Sequence, residues 1–394
     1  MKNRVSFMLG SIVIFAALFT TYAFAAPTGK SDLVVKGIKW PNQSDPNHPD
    51  FEGTLPIETF AIAPQDFTSG YTSLLPYLMR SPDQDEAGSC LYMSLTGIAE
   101  WWLHRLNPHL STEPDGAGDL SERYLMNLAG IEESGNGVAN WKTDSIFLFN
   151  WNDHKSVLNK NYRFTKNWYK EDAEGNYSPA EPDSAGASFG TYFNWIDESK
   201  SITTGFIKLP SFERNVIFAD PESDQWNVGT SPNDIVERVK QALTENKAPV
   251  HVIYNHFAYW HAVMIVGFDD ERNSGNCDFV ERTRTYMKEQ PPKLRLQAEK
   301  EGITLEEKDR LLKRALKLER TSQKLEAAYT TKGGCRKKGM FYIRDSIYAD
   351  PEGPVYDYNT SIKGDEAFYS KTIILHEYDW LRYLSNHVTQ IIVE

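Results

Sequence analysis

The chain has 394 residues, of which 13% are aromatic and three are cysteine, and carries a formal net charge of −12. Such an acidic excess excludes a general nucleic-acid or anionic-membrane binder, because like charges repel, and the aromatic content excludes a disordered chain. A chain of this length can bury the core of one large domain or of two subdomains.

Residues 1–25 read as a signal peptide. MKNR supplies two positive charges, an apolar run follows, and Ala23-Phe24-Ala25 offers small residues for cleavage. This predicts a secreted or periplasmic protein, in which two cysteines pair and the third is left over. No later run of 18 apolar residues occurs, so no stable membrane insertion is expected once the signal is removed. Residues 26–65, rich in Pro, Asn and Asp, read as an N-terminal arm, and 66–394 as the body of the protein.

From Cys90 to Leu106 apolar residues recur at Leu91, Leu95, Ile98, Trp102 and Leu106, which predicts a helix with one buried face. Ser89 stands at the N-cap position, and Cys90 falls in the first turn. Trp141 to Trp195 shows weak periodicity and reads as loops and short elements. Pro232 to Asn246 reads as a helix, and APVHVIYNHFAYWHAVMIVGFDD as strands, with HAVMIVG apolar on both faces like a central strand. Thr304-Leu305-Glu306-Glu307 is a capping-box start for a long helix, after which GMFYIRD, TIILHEY and VTQIIVE read as strands. Helices first and antiparallel strands later predict an α+β protein.

Between Cys277 and Cys335 the composition changes. Asp278 to Lys338 hold 17 Lys and Arg against 10 Asp and Glu, a net of +7 that leaves −19 for the rest of the chain. Such asymmetry marks a distinct module at 278–334. Leu311, Leu318 and Leu325, beside Ala315, give its long helix a narrow apolar seam, which predicts a helical hairpin. By charge complementarity this basic insert could make an intramolecular contact with the acidic body and limit access to a neighbouring cleft; a solvated decoration is the equal alternative.

Cys90 standing alone on a helix would be a buried structural thiol. In the first turn, however, it meets the positive end of the helix dipole, which favours thiolate over thiol. The backbone N–H groups there can receive negative charge from a carbonyl under attack, and the Gln84 amide is placed to act as a second donor. A base is also needed, and His261, opening the central strand, is the best placed of nine histidines. Pairing HAVMIVG against GMFYIRD, end to end, sets His261 opposite Asp345, which would orient the imidazole. The same ladder brings Cys277 nearly opposite Cys335 and predicts a disulfide closing the neck of the insert. A metal site from His251, His256 and His261 has no accompanying H-x-x-x-H or Cys-x-x-Cys spacing. DDERNSGN reads as a solvated turn, since its glycine is misplaced for a calcium loop.

QDEAGSC, Ser94 and Glu100 past it, HAVMIVGFDD, YIRDSI and LSERYL together resemble the papain-like cysteine peptidases at about a quarter of the chain. Ala87 replaces a disulfide cysteine of that pattern, Leu91 and Ile347 replace two tryptophans, and Asp345 replaces an asparagine. The resemblance implies a papain-like two-subdomain fold, helical and antiparallel β-rich, interrupted here by the helical hairpin. It implies hydrolysis of a protein or peptide substrate through a thioester on Cys90, with His261, Asp345 and Gln84 assisting and no cofactor. A transglutaminase-like acyltransferase and a catalytically dead binding protein remain open as alternatives.

Overall fold

The β-branched and apolar runs of the second half of the chain assemble into one antiparallel sheet. The structure, a computed structural model, describes residues 70–82, 84, 89–128, 146–162, 164, 167–171, 177–179, 187–190, 205–220, 226–275, 277–346 and 373–393. The signal peptide and the arm read from the sequence, with Ala87 and Ile347, lie outside the described residues. The first half contributes β1 (Gly70–Tyr71), α1 (Cys90–Leu106), α2 (Glu122–Leu128), α3 (Phe147–Trp151) and β2 (Lys155–Val157). Short strands β3 (Asn167–Glu171), β4 (Tyr177–Pro179), β5 (Ala187–Gly190) and β6 (Phe206–Lys208) follow, then β7 (Phe212–Ala219) and α4 (Ile235–Glu245). Next come β8 (Val250–His256), β9 (Tyr259–Asn273), α5 (Asp278–Ala298) and α6 (Leu305–Thr331). The last elements are β10 (Lys338–Arg344), β11 (Ile373–Glu377), α7 (Tyr378–Leu384) and β12 (Ser385–Val393). The chain is therefore α+β.

The main sheet runs β11-β10-β9-β8-β12-β7, with β1 added to β9. Strand β9 lies in its middle, which explains why HAVMIVG is apolar on both faces. The β8–β9 hairpin turns through Phe257 and Ala258, both at positive φ (49° and 68°), a pairing suited to a two-residue turn.

Helix α1 starts and ends as read from the sequence, but all 17 of its residues are buried, where one buried face was expected. The indole N–H of Trp101 reaches Leu74 O at 2.8 Å and that of Trp102 reaches Ile391 O at 3.0 Å, which is how two tryptophans stay buried without an orphaned donor. Ser89 makes no side-chain cap bond. Its backbone carbonyl accepts from Tyr92 N at 2.9 Å and Met93 N at 3.1 Å, as the first carbonyl of the helix ladder.

Helices α5 and α6 form the expected hairpin. Ala315, Leu318 and Leu325 fill the seam, Arg284 bridges Glu281 and Glu326 at 2.7 and 2.6 Å, and Thr304 caps α6 by accepting from Glu307 N at 3.1 Å. The basic hairpin does contact the body, largely through neutral acceptors: Lys332 Nζ donates to Ser231 O (2.7 Å) and Arg382 O (2.9 Å), and Lys324 Nζ to Asn227 Oδ1 (3.0 Å). Cys277 and Cys335 are joined by a disulfide, with Cα atoms 5.8 Å apart. Opening this 58-residue loop by Cys335→Ser is expected to destabilise the protein by about 2–4 kcal/mol. Denaturant melts of the two proteins, with intact masses of the wild type showing one free thiol, check this.

Candidate active site

Cys90 is a free, buried cysteine at the first residue of α1. It stands close enough to His261, which is buried at the start of β9, to act on the charge of the imidazole. On the other side of the ring, His261 Nε2 and Asp345 Oδ1 are 2.8 Å apart. With Nε2 committed to the carboxylate, Nδ1 is the nitrogen left to serve the sulfur. Burial alone would push the imidazole pKa down. The Asp345 charge and hydrogen bond, with a smaller part from Cys90, outweigh that and raise it to about 10. His261 is thus held protonated at neutral pH.

The strand register differs from the end-to-end pairing read from the sequence. Arg344 pairs with Met264 and Ile343 with Ile265, and register shifts occur on either side of Met340–Tyr342. Continued by one residue, this ladder sets Asp345 beside Val263, two residues inward of His261. The first irregularity displaces the register by two residues and the second by one. The side chains still meet because diagonal neighbours on one face of a sheet stay within reach.

Gln84 is buried, and its backbone N–H donates to Ser346 O at 3.2 Å. The Ser346 hydroxyl donates to Gln84 Oε1. That bond decides which end of the amide is which, turning the NH₂ end away from Ser346. The sequence places Ser346 directly after Asp345, and the hydroxyl beside a carboxylate was the available signal for it.

An aromatic wall backs His261. Tyr254, its cross-strand partner, presents its ring edge-on with centroids 5.5 Å apart. Tyr254 Oη is 2.9 Å from His256 Nδ1, and the His256 ring lies 5.2 Å from that of His261. Burial, then the charge on His261, push the His256 pKa down to about 3, against an opposing pull from Asp345. His256 is therefore a neutral neighbour of a charged one. His251 occupies the opposite face of β8, where its Nδ1 meets Ser94 Oγ at 3.3 Å. The odd spacing separates it from the other two histidines, so the three do not form a ligand set. Among the described residues the one cluster with metal-ligand spacing is Cys277, Cys335 and Asp379, and its sulfurs are already bonded to each other.

A second buried constellation ties the cysteine helix to the aspartate strand. Arg344 donates to Met79 O (2.9 Å), Met93 O (2.9 Å) and Arg80 O (3.2 Å), and its Nη2 lies 3.3 Å from Glu100 Oε2. It crosses α1 at Gly97, where a Cβ would stand 2.1 Å from Nη1. Glycine in mid-helix is needed for this approach. Glu100 Oε1 accepts from Leu120 N at 3.0 Å, bringing LSERYL alongside. Burial raises the pKa of Glu122 to about 8, with Asp119 adding to it, and Glu100 is raised by burial and by Glu122. Arg344 belongs to none of the motif positions, and its signal in the sequence is an arginine closing the apolar run Met340 to Ile343.

The arrangement offers a thiol beside an imidazolium, a carboxylate behind the imidazolium and an oriented amide nearby. No family model matches the chain, and no curated protein is similar to it.

Proposed function

We propose that the protein is an exported, papain-like cysteine peptidase, with the helical hairpin as an insert in the β-rich subdomain. The contiguity of Cys90, His261 and Asp345, drawn from three separate elements, carries this reading. The Cys90 sulfur attacks the peptide carbonyl carbon, and the oxyanion so formed is held by the Gln84 amide and the Cys90 N–H. His261 gives its proton to the amine nitrogen, the C–N bond breaks, and a thioester remains. His261, now neutral, takes a proton from water as the oxygen attacks the thioester. The C–S bond breaks, the carboxylic acid leaves, and the thiolate–imidazolium pair is restored. Every atom is accounted for by peptide and water.

Iodoacetamide is expected to alkylate Cys90 at pH 6 far faster than an ordinary thiol, because a charged imidazole stands beside the sulfur. A rate that tracks free cysteine across pH 5–9 would contradict the pair. Peptides released from a proteome by wild type and by Cys90→Ala, compared by mass spectrometry, test hydrolysis directly. Incorporation of amines in place of release would assign the thioester to acyl transfer. Gln84→Ala is expected to lower kcat on the order of 10²-fold, the loss of one oxyanion donor. Ser346→Ala should cost less, because it loosens that amide without removing it; steady-state kinetics on one peptide ranks the two.

A further inference from the structure

Helix α6 presents three faces. Ala315, Leu318 and Leu325 are buried in the seam against α5. A second stripe meets the body: Arg314 lies over the ring of Tyr259, Lys317 over that of Trp226, Thr321 Oγ1 donates to Trp226 O at 3.2 Å, and Ala328 rests against Gly229. The third stripe meets neither. With about 100° between successive residues, Leu305, Leu312 and Leu316 fall within roughly 40° of one another and roughly 120–150° round the helix from the other two stripes. Leu305 is 87% exposed, Leu312 40% and Leu316 43%, which is half of the six large hydrophobics exposed among the described residues. One exposed leucine is ordinary, whereas three aligned on one stripe mark an interaction surface.

The charges around this stripe choose its partner. Residues 299–309 hold five acidic side chains against Lys300 and Lys308, and residues 310–324 hold six basic ones against Glu319. One end of the stripe is thus acidic and the other basic. Such a segment complements a second copy of itself running the opposite way, whereas a parallel copy would set like charges side by side and an anionic surface would meet the acidic end. In an antiparallel pair centred on Leu312, that leucine faces its own copy, and Leu305 comes within one turn of the partner's Leu316. Along one edge of the stripe Glu306 comes beside the partner's Arg320 and Asp309 beside the partner's Lys313. Along the other, Lys308 comes beside the partner's Glu319. Within one copy Asp309 meets Lys313 at 2.5 Å and Glu319 meets Arg295, pairs whose side chains stay 36–72% exposed and can be shared across the axis. The opposed direction also holds the two acidic bodies at opposite ends of the contact.

We infer that the leucine stripe of α6 is a homodimer interface, in which the hairpins of two copies pair antiparallel about a two-fold axis at Leu312. The same patch serves both copies, so every contact off the axis occurs twice. From Leu305 to Arg320 the contact runs roughly 22 Å. That is short for a permanent interface and places the dimer in the micromolar range. The inference does not depend on the peptidase reading, and it gives the hairpin a role in assembly.

Sedimentation equilibrium of the wild type is expected to show monomer and dimer with a Kd on the order of 10 μM. Leu312→Ser combined with Leu316→Ser should weaken the dimer on the order of 10²-fold or more, because each dimer loses four leucines from its contact. Thermal melts of that variant should stay at the wild-type value, since both leucines are exposed in one copy. Lys313→Glu should weaken the dimer by about tenfold, and adding Asp309→Lys should restore it. Direction is read with a short bismaleimide in a Cys90→Ala background. Leu312→Cys should crosslink two copies, whereas Gln323→Cys, on the same stripe, should not, because its two copies stand roughly 33 Å apart along the antiparallel pair. Equal crosslinking at both positions would make the pair parallel and overturn the arrangement. A wild type that stays monomeric to about 1 mM, or a dimer indifferent to the leucine variant, overturns the interface. A monomeric wild type that binds phosphatidylglycerol vesicles, with binding lost in the leucine variant, would overturn it in favour of a lipid surface.

Discussion

His261→Ala is expected to lower kcat on the order of 10⁴-fold or more, to the level of Cys90→Ala, because the two residues act as one unit. The variant removes the proton donor for the leaving amine, the base for water and the charge beside the sulfur together. Single-turnover kinetics on one peptide, with the double variant as a third arm, measures this. A double variant much slower than either single one would show that they act separately. Asp345→Asn is the sharper probe of geometry, since it keeps an acceptor for Nε2 at 2.8 Å and removes the charge. The His261 pKa of about 10 owes more to Asp345 than to Cys90, so the imidazole should lose its proton at lower pH in the variant. Its alkaline limb of activity is expected to move down, with a smaller loss at neutral pH. The same linkage acts on stability. A histidine whose pKa is raised on folding contributes fully below its unfolded value of about 6.5, and that contribution is lost as pH rises through about 10.

Arg344→Met is expected to destabilise the fold by roughly 3–5 kcal/mol, the cost of leaving buried partners without their charge. Three backbone carbonyls and the Glu100 carboxylate would lose their donor. Glu122, already pushed up to about 8 by burial and by Asp119, would also lose the pull toward ionisation that the Arg344 charge exerts. The effect should grow with pH. Between the ordinary carboxyl range and about pH 8 the folded protein keeps a proton on Glu122 that the unfolded chain releases, so this group's contribution to stability falls as pH rises. Removing the guanidinium shifts that window upward and steepens the loss. Urea melts at pH 5, 7 and 8.5 read it out, and a penalty independent of pH would show that the carboxylates are not coupled to Arg344.

Local residue patterns determined the helix that starts at Cys90, the strands β8 and β9, the capped start of α6 and the α+β character of the chain. Each of these depends on neighbours within a turn or a strand, where periodicity and caps act directly. The four residues singled out by chemistry, Gln84, Cys90, His261 and Asp345, were also legible, because nucleophile, base and acceptor types are few and their order along the chain is informative. Their geometry was not. The register that brings Asp345 to His261 depends on irregularities in the β9–β10 ladder, and no local pattern in GMFYIRD announces them. Burial of α1 on every side likewise follows from what packs against it, since its own apolar residues mark one face alone. The parts that orient the site, Ser346 on the Gln84 amide, Tyr254 and His256 behind His261, and Arg344 across Gly97, come from segments up to 265 residues apart. Contacts of that kind arise when chain segments close on one another, and only the tertiary structure decides them.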